Sequence, residues 1–496
     1  MAGLTQRLDA YRSLRSEIEA SILPLATSVD GRRFSFQAAI EGLSLRLGSY
    51  VVLGGGEGPP LGQVRSLEVA EVDIGQVGLA PEDPDEGDLQ ARLPIRLARG
   101  EGVILDSGIG PFHDRALRPA RPEEVGAWLQ RSAPERARLA VGTLPLAGNV
   151  PMSLDAGGFD RHTFLCGQSG SGKSYSLGLM LEQLLLQTTL KVIVLDPNSD
   201  VVHLAETRDG ADPRLADDWR DRAGGIVVRS SGPGANRLRL RFAELDDEAT
   251  GALLRLDPIA DRDEYAALAS LLADAQPQTL AALAGADRPE AQRLALRIAN
   301  LGVEEYGVWA RGDAGSLLDD LDDPAVRCLV VDIGSPPTRQ EQALVAATVL
   351  RGLWERRLRR EPVLVVIDEA HNVCPAVPAD ALTELATEHA IRIAGEGRKF
   401  GIYLLVATQR PQKVHENVLS QCDNLVLMRL NSAADAAFIQ QLYGFAPPGL
   451  VGLATDFGLG EALIAGKIAP HPAIVRFGER IAREGGGDVR SDWAAR

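Results

Sequence analysis

The chain has 496 residues, 45% of them hydrophobic and 24% charged, a composition that excludes a disordered or fibrous polymer and a length that calls for two or three domains. The net charge of −16 argues against a surface that binds nucleic acid over its whole extent, although a ring can confine its basic residues to a pore. Four scattered cysteines, Cys166, Cys328, Cys374 and Cys422, contain no CxxC pair and offer no zinc site, and no apolar run approaches a bilayer span, so a soluble cytoplasmic protein without membrane association is expected.

Residues 4–22 carry Leu4, Leu8, Tyr11 and Ile18 at helical spacing and predict an amphipathic helix, an N-terminal unit over 1–24. Short alternating runs such as Leu43–Leu47 and Ser49–Leu53, separated by turns such as Gly54-Gly55-Gly56, predict a small β-barrel over 25–125. The acidic stretch Pro81–Asp88 reads as a solvated loop. A connector over 126–149 follows, in a stretch whose first half, from Arg121, reads as a helix.

From residue 150 to 479 apolar strands alternate with helices, which predicts an α/β core built on a parallel sheet covered on both faces. The strands expected are Thr163–Cys166, Lys191–Leu195, Gly225–Val228, Arg327–Ile333, Val363–Ile367, Ile402–Ala407 and Asn424–Leu430. Strand text vanishes over 244–323, where Leu- and Ala-rich runs predict a helical insertion, and 480–496 reads as a flexible tail.

Three runs carry chemistry. Gly167, Gln168, Ser169, Gly170, Ser171, Gly172, Lys173 and Ser174 form GxxxxGK[ST] behind an apolar strand and ahead of a helix. In such a loop backbone amides curl around phosphates, Lys173 bridges the β- and γ-oxygens, and the Ser174 hydroxyl ligates Mg²⁺. The chain is therefore expected to bind ATP with Mg²⁺. Val363–Ile367 ends in Asp368 and Glu369, a Walker B pattern in which Asp368 holds the metal and Glu369 orients the attacking water. Tyr403–Ala407 ends in Thr408-Gln409, where Gln409 reads either as a γ-phosphate sensor or as a strand-end amide. Arg398 or Lys399 reads as a cation for a neighbouring subunit's γ-phosphate or as an ordinary surface charge. Arg237, Arg239 and Arg241 alternate along an expected strand, lining a pore or a solvated face.

Taken in order, RHxxxxGxSGSGKS from Arg161, DPNSD from Asp196, IDEAH from Ile367, GEGRKFG from Gly395, ATQRP from Ala407 and LSQCDN from Leu419 resemble the HerA branch of the HerA/FtsK superfamily of P-loop ATPases. The resemblance implies a RecA-like ATPase core behind a HerA-type small barrel. It also implies a homohexameric ring that hydrolyses ATP at subunit interfaces, acts on double-stranded DNA as a translocase or helicase in end processing and repair, and works with a NurA-type nuclease. Lys173 and Ser174 then take the phosphate and metal roles, Asp368 and Glu369 the Walker B roles, Gln409 the sensor role, Arg398 the trans-acting finger role, and Asp196 the acidic position after the second strand. The chain departs from the pattern at Gly395, where relatives carry an arginine, and at Asn198-Ser199-Asp200 within the DPNSD run. A related ring that scaffolds an antiphage-defence effector, or a conjugation-type motor, is the alternative. A two-lobed helicase lacks room after Pro411, and an ABC ATPase lacks its LSGGQ-like run.

Overall fold

The computed structural model describes residues 2–55, 58–79, 89–232, 234, 236–275, 277–285 and 289–485, so the acidic stretch 81–88 and residues 486–496 lie outside the described residues. Helix α1 (Ala2–Ala20) lies against a long hairpin, its Tyr11 hydroxyl donating to the Arg92 carbonyl and its Glu19 carboxylate accepting from the Arg96 amide. Strands β1 (Leu25–Ser28), β2 (Arg33–Ala38), β3 (Tyr50–Leu53), β4 (Leu61–Leu79), β5 (Leu89–Ile104) and β6 (Phe112–Pro119) close into an antiparallel barrel in the order β1-β2-β5-β4-β3-β6. Its interior is Phe34, Phe36, Val51, Leu53, Val64 and Leu117. Gly102 is required there, because a Cβ would stand 2.2 Å from the Phe34 ring.

Helix α2 (Pro122–Ser132) leads into an 11-stranded sheet built from β7 (Arg138–Leu144), β8 (Val150–Asp155), β9 (His162–Cys166), β10 (Lys191–Leu195), β11 (Ile226–Arg229), β12 (Cys328–Val331), β13 (Val363–Ile367), β14 (Ile402–Thr408), β15 (Cys422–Met428), β16 (Glu461–Ala465) and β17 (Ala473–Phe477). The order is β11-β12-β10-β13-β14-β9-β15-β16-β17-β7-β8. The seven expected strands are all present and pair in parallel, but β16, β17, β7 and β8 extend the sheet antiparallel. The connector is corrected accordingly: β7 belongs to the core sheet, with alternating burial that suits an antiparallel strand and gave no continuous apolar run. The insertion between β11 and β12 is helical over Asp247–Leu253, Arg262–Ala275, Leu280–Ala284 and Pro289–Leu301.

Arg237, Arg239 and Arg241 do not share a strand face. Only isolated bridges occur at Arg237 and Leu240; Arg237 donates to the Gly307 carbonyl, and Arg241 pairs with Glu244 and Asp319. The barrel is held to the core by the Tyr50 hydroxyl, 2.7 Å from His471 Nε2, with the Trp128 ring edge-on to the same imidazole. Burial and the nearby Arg65 push His471 down to about 3, so it is neutral at physiological pH.

The start of the expected tail is instead core. Helix α3 (Lys173–Gln187) presents Glu182, whose carboxylate accepts from Arg480 Nε at 2.8 Å and from the amides of Ile481 and Ala482 at 2.7 and 3.1 Å. Both side chains of the pair are 1% exposed, and Gly178 leaves room for the guanidinium, since a Cβ there would meet Arg480 Cζ at 2.2 Å. Removing one partner strands a buried charge, so Glu182→Ala is expected to cost about 3–5 kcal/mol. Chemical denaturation compared with wild type checks this, and truncation before Arg480 should give a loss of similar size.

Candidate active site

Strand β9 is buried along its length and delivers the chain into the glycine loop at the carboxyl end of the sheet. Gly170 and Gly172 adopt φ of 73° and 91°, a conformation that glycine enters at little cost. Neighbouring strands staple the loop in place. The Gln168 amide donates to the Arg429 carbonyl, Arg429 Nη2 donates to the Gly170 carbonyl, and the Gly460 amide donates to the Ser171 carbonyl. Gly172 is the N-cap of α3, so the first free amides of that helix and the positive end of its dipole face the loop.

The Lys173 ammonium lies 2.5 Å from Asp368 Oδ1 and 3.1 Å from Glu369 Oε1, with all three side chains no more than 4% exposed. Burial opposes the charge on Lys173, but the two carboxylates outweigh it and hold the ammonium above its ordinary range. Glu369 sits at φ 41°, a left-handed conformation that is strained for a side chain of this size and is kept by its surroundings. Its amide donates to Asp368 Oδ1, while its Oε2 faces His371 Nδ1 at 3.2 Å and the Gln409 amide at 3.4 Å. The Thr408 hydroxyl lies 3.1 Å from the same His371 nitrogen. His371 and Thr408 were given no role by the sequence; the IDEAH and ATQRP runs contain them, and the register of β13 against β14 brings Thr408 to His371, which follows Glu369 by two residues.

At the carboxyl end of β10, Asp196 is fully buried and accepts from the amides of Asn198, Asp200 and Val201. Burial pushes its carboxyl up to about 6 in spite of those three donors. Asp200 reaches back, and the Ser174 hydroxyl donates to its Oδ2 at 2.7 Å. Sequence reasoning quoted DPNSD but missed this contact, whose only signal was a second carboxylate four residues on at a strand's carboxyl end.

Asp368 Oδ2 is buried without a hydrogen-bond partner. With the Ser174 hydroxyl it offers hard oxygen donors of the kind Mg²⁺ prefers. Among the described residues no cluster of three or more His, Cys, Asp or Glu holds a metal by itself, so a cation here needs phosphate and water oxygens as well. The residues fit a nucleotide-borne Mg²⁺ and no dedicated metal cage.

Gln409 also lines a cleft of about 530 Å³ with Gln168, Ser169, Arg410, Lys413 and Asp435. Arg398 stands apart. It precedes β14, whereas the glycine loop follows β9, and the two strands are parallel neighbours, so roughly 20 Å of strand separates them. There Arg398 Nη1 pairs with Asp423 Oδ2 at 2.6 Å, and Arg161 Nε lies 3.5 Å from the same oxygen.

The raised Asp196 carboxyl gives a pH test. Its folded value near 6 exceeds the ordinary aspartate value of about 3.9, so the folded state holds its proton more tightly, and the wild type loses stability relative to Asp196→Asn as pH rises from about 4 to about 6. The loss approaches about 3 kcal/mol above that window. Unfolding of both proteins across pH 4–7 checks the sign.

Comparison with known proteins bears on this arrangement. The family model described as helicase HerA, central domain, matches residues 139–296, which include the glycine loop and Asp196. A DNA double-strand break repair helicase HerA from Pyrococcus furiosus is 24% identical over 461 residues, covering 77% of this chain and 78% of the relative. Its namesake from Sulfurisphaera tokodaii is 34% identical over 145 residues, 28% of each chain. Among solved structures, VirB4 of Thermoanaerobacter pseudethanolicus superposes with a TM-score of 0.50 at 16% identity, covering 70% of this chain and 98% of that one, a likeness of fold alone.

Proposed function

We propose that this chain, a P-loop ATPase similar to HerA over residues 139–296 and to HerA relatives, is a ring-forming HerA-type motor that couples ATP hydrolysis to movement of double-stranded DNA in end processing and repair. The observation that carries the reading is the buried Lys173 held between Asp368 and Glu369, directly behind a glycine loop at the start of a helix. Phosphate and carboxylates compete for one ammonium. A triphosphate in the loop draws Lys173 toward its β- and γ-oxygens, which frees Asp368 and Glu369 for the reaction.

Ser174 and Asp368 are the residues that would hold Mg²⁺, which when bound neutralises charge on the β- and γ-oxygens. Glu369 orients a water against the γ-phosphorus and takes its proton, as the new P–O bond forms and the bond to the β–γ bridging oxygen breaks. His371 and the Gln409 amide hold Glu369 for that task, and the Gln409 side chain senses the γ-phosphate from the adjoining cleft. Arg398 lies too far from its own loop and serves the site of the next subunit, which makes a closed ring, a homohexamer in this reading, the working unit. A NurA-type nuclease is the partner expected for end processing.

Glu369→Gln should lower ATP turnover by about 10²–10⁴-fold while nucleotide binding and assembly persist. Steady-state hydrolysis with and without duplex DNA, alongside sedimentation, measures both. A wild type that remains monomeric with nucleotide and DNA, or whose ATPase ignores duplex DNA, would sink the motor reading. Arg398→Ala should lose about 10³–10⁵-fold in hydrolysis at unchanged nucleotide affinity. Mixing it with Lys173→Ala subunits should restore part of the activity, because each mutant supplies what the other lacks; full activity in Arg398→Ala alone would remove the finger.

A further inference from the structure

A serine hydroxyl that ligates a cation must turn its lone pairs to the ion and its proton elsewhere, so it needs an acceptor on its far side. In this chain the Walker B aspartate is not that acceptor. Asp368 Oδ1 already receives the Lys173 ammonium and the Glu369 amide, and Asp368 Oδ2 has no donor. The Ser174 proton goes instead to Asp200 Oδ2, at 2.7 Å.

The loop carrying Asp200 is fixed from several sides. The Asp200 amide is held by Asp196 Oδ1 at 3.1 Å, and the Asp200 carbonyl accepts from the Gly485 amide at 3.0 Å. The preceding Ser199 adopts φ 60°, which is costly for a serine, and its hydroxyl donates to Asp332 Oδ1 at the end of β12. Three separate hydrogen bonds thus hold this five-residue loop. Their joint effect is to aim one carboxylate at the hydroxyl that follows Lys173.

We infer that Asp200 is the positioning residue for the metal ligand Ser174, orienting its hydroxyl so that the nucleotide's divalent cation is bound. The inference rests on the nucleotide-site reading above and adds to it a carboxylate that neither the glycine loop nor the Walker B strand supplies. Asp200 touches the ligand, not the reacting atoms, so its removal acts on cation affinity first.

Mn²⁺ serves as the probe, titrated into full-length protein with a fluorescent ADP and followed by electron paramagnetic resonance, with nucleotide affinity measured separately in EDTA. Asp200→Ala should raise the Mn²⁺ half-saturation by about 10–100-fold, the usual cost of losing a ligand-orienting partner, and leave nucleotide affinity in EDTA unchanged. Asp200→Asn, which keeps an acceptor oxygen, should shift it less. An unchanged Mn²⁺ titration in Asp200→Ala would overturn the assignment. So would an equal loss of nucleotide affinity in EDTA, which would make Asp200 only a brace for its loop, or equal shifts in the Ala and Asn variants, which would assign the effect to charge and not to the acceptor. Failure of the wild type to bind the nucleotide at all would remove the underlying reading instead, and is distinguishable because it precedes any Mn²⁺ effect.

Discussion

A buried ammonium between two buried carboxylates sets the terms for the rest of this structure. Lys173 leaves β9 while Asp368 and Glu369 leave β13, and β14 lies between them. Two strand spacings amount to about 9.6 Å, a gap a lysine can bridge only when it starts at the first turn of a helix and points across the strand ends. The intervening strand must therefore end beneath the bridge. That is why Thr408 and the Gln409 amide meet His371 and Glu369, and why one side chain could join phosphate binding to water activation in the proposed reaction.

Removing three charges from water costs several kcal/mol per ion, and the pair energies repay it only if the groups cannot drift apart. The backbone around the site is built for this. Glu369 and Ser199 are both left-handed, and each has its side chain tied to a neighbouring strand end, Glu369 to the Gln409 amide after β14 and Ser199 to Asp332 after β12. Glu182, on the helix that Lys173 begins, locks the C-terminal segment through Arg480, and that segment in turn reaches the Asp200 carbonyl through Gly485. The helix that presents the phosphate loop and the loop that holds its serine thus share one strap, so strain at the site is borne by packing outside it.

What was legible in the sequence was what repeats locally. The seven parallel strands are continuous apolar runs because both faces are buried, and the motifs sit at their carboxyl ends, where parallel sheets place chemistry. Strand β7 was not legible as core, since its alternation fits an edge or a linker until β17 pairs with it. Arg480 read as tail because its partner lies 298 residues away, and no local pattern records such a pairing. Arg237, Arg239 and Arg241 show the opposite error: period-two spacing without a partner strand leaves an irregular segment whose charges find local acceptors. Asp200 stood within a quoted motif, yet its role depends on where α3 begins in space.

The two cations proposed to meet phosphate differ in how freely they can move. Lys173 is sealed against Asp368 and Glu369, and only a group of comparable charge and geometry displaces it. Arg398 is 40% exposed and faces an aspartate that is 47% exposed, a pairing of a kind worth about 0–1 kcal/mol. A charge-assisted bond to phosphate is worth about 1.5–3 kcal/mol, so a neighbouring nucleotide can take Arg398 from Asp423 at small cost. Asp423 also faces Arg161, so the carboxylate keeps a partner when Arg398 leaves. A rigid cation at the carboxyl ends of the central strands and a releasable one at their amino ends is the asymmetry that the proposed site shared between neighbouring subunits would require. In the proposed ring, binding would be decided within one chain and hydrolysis would wait for the next.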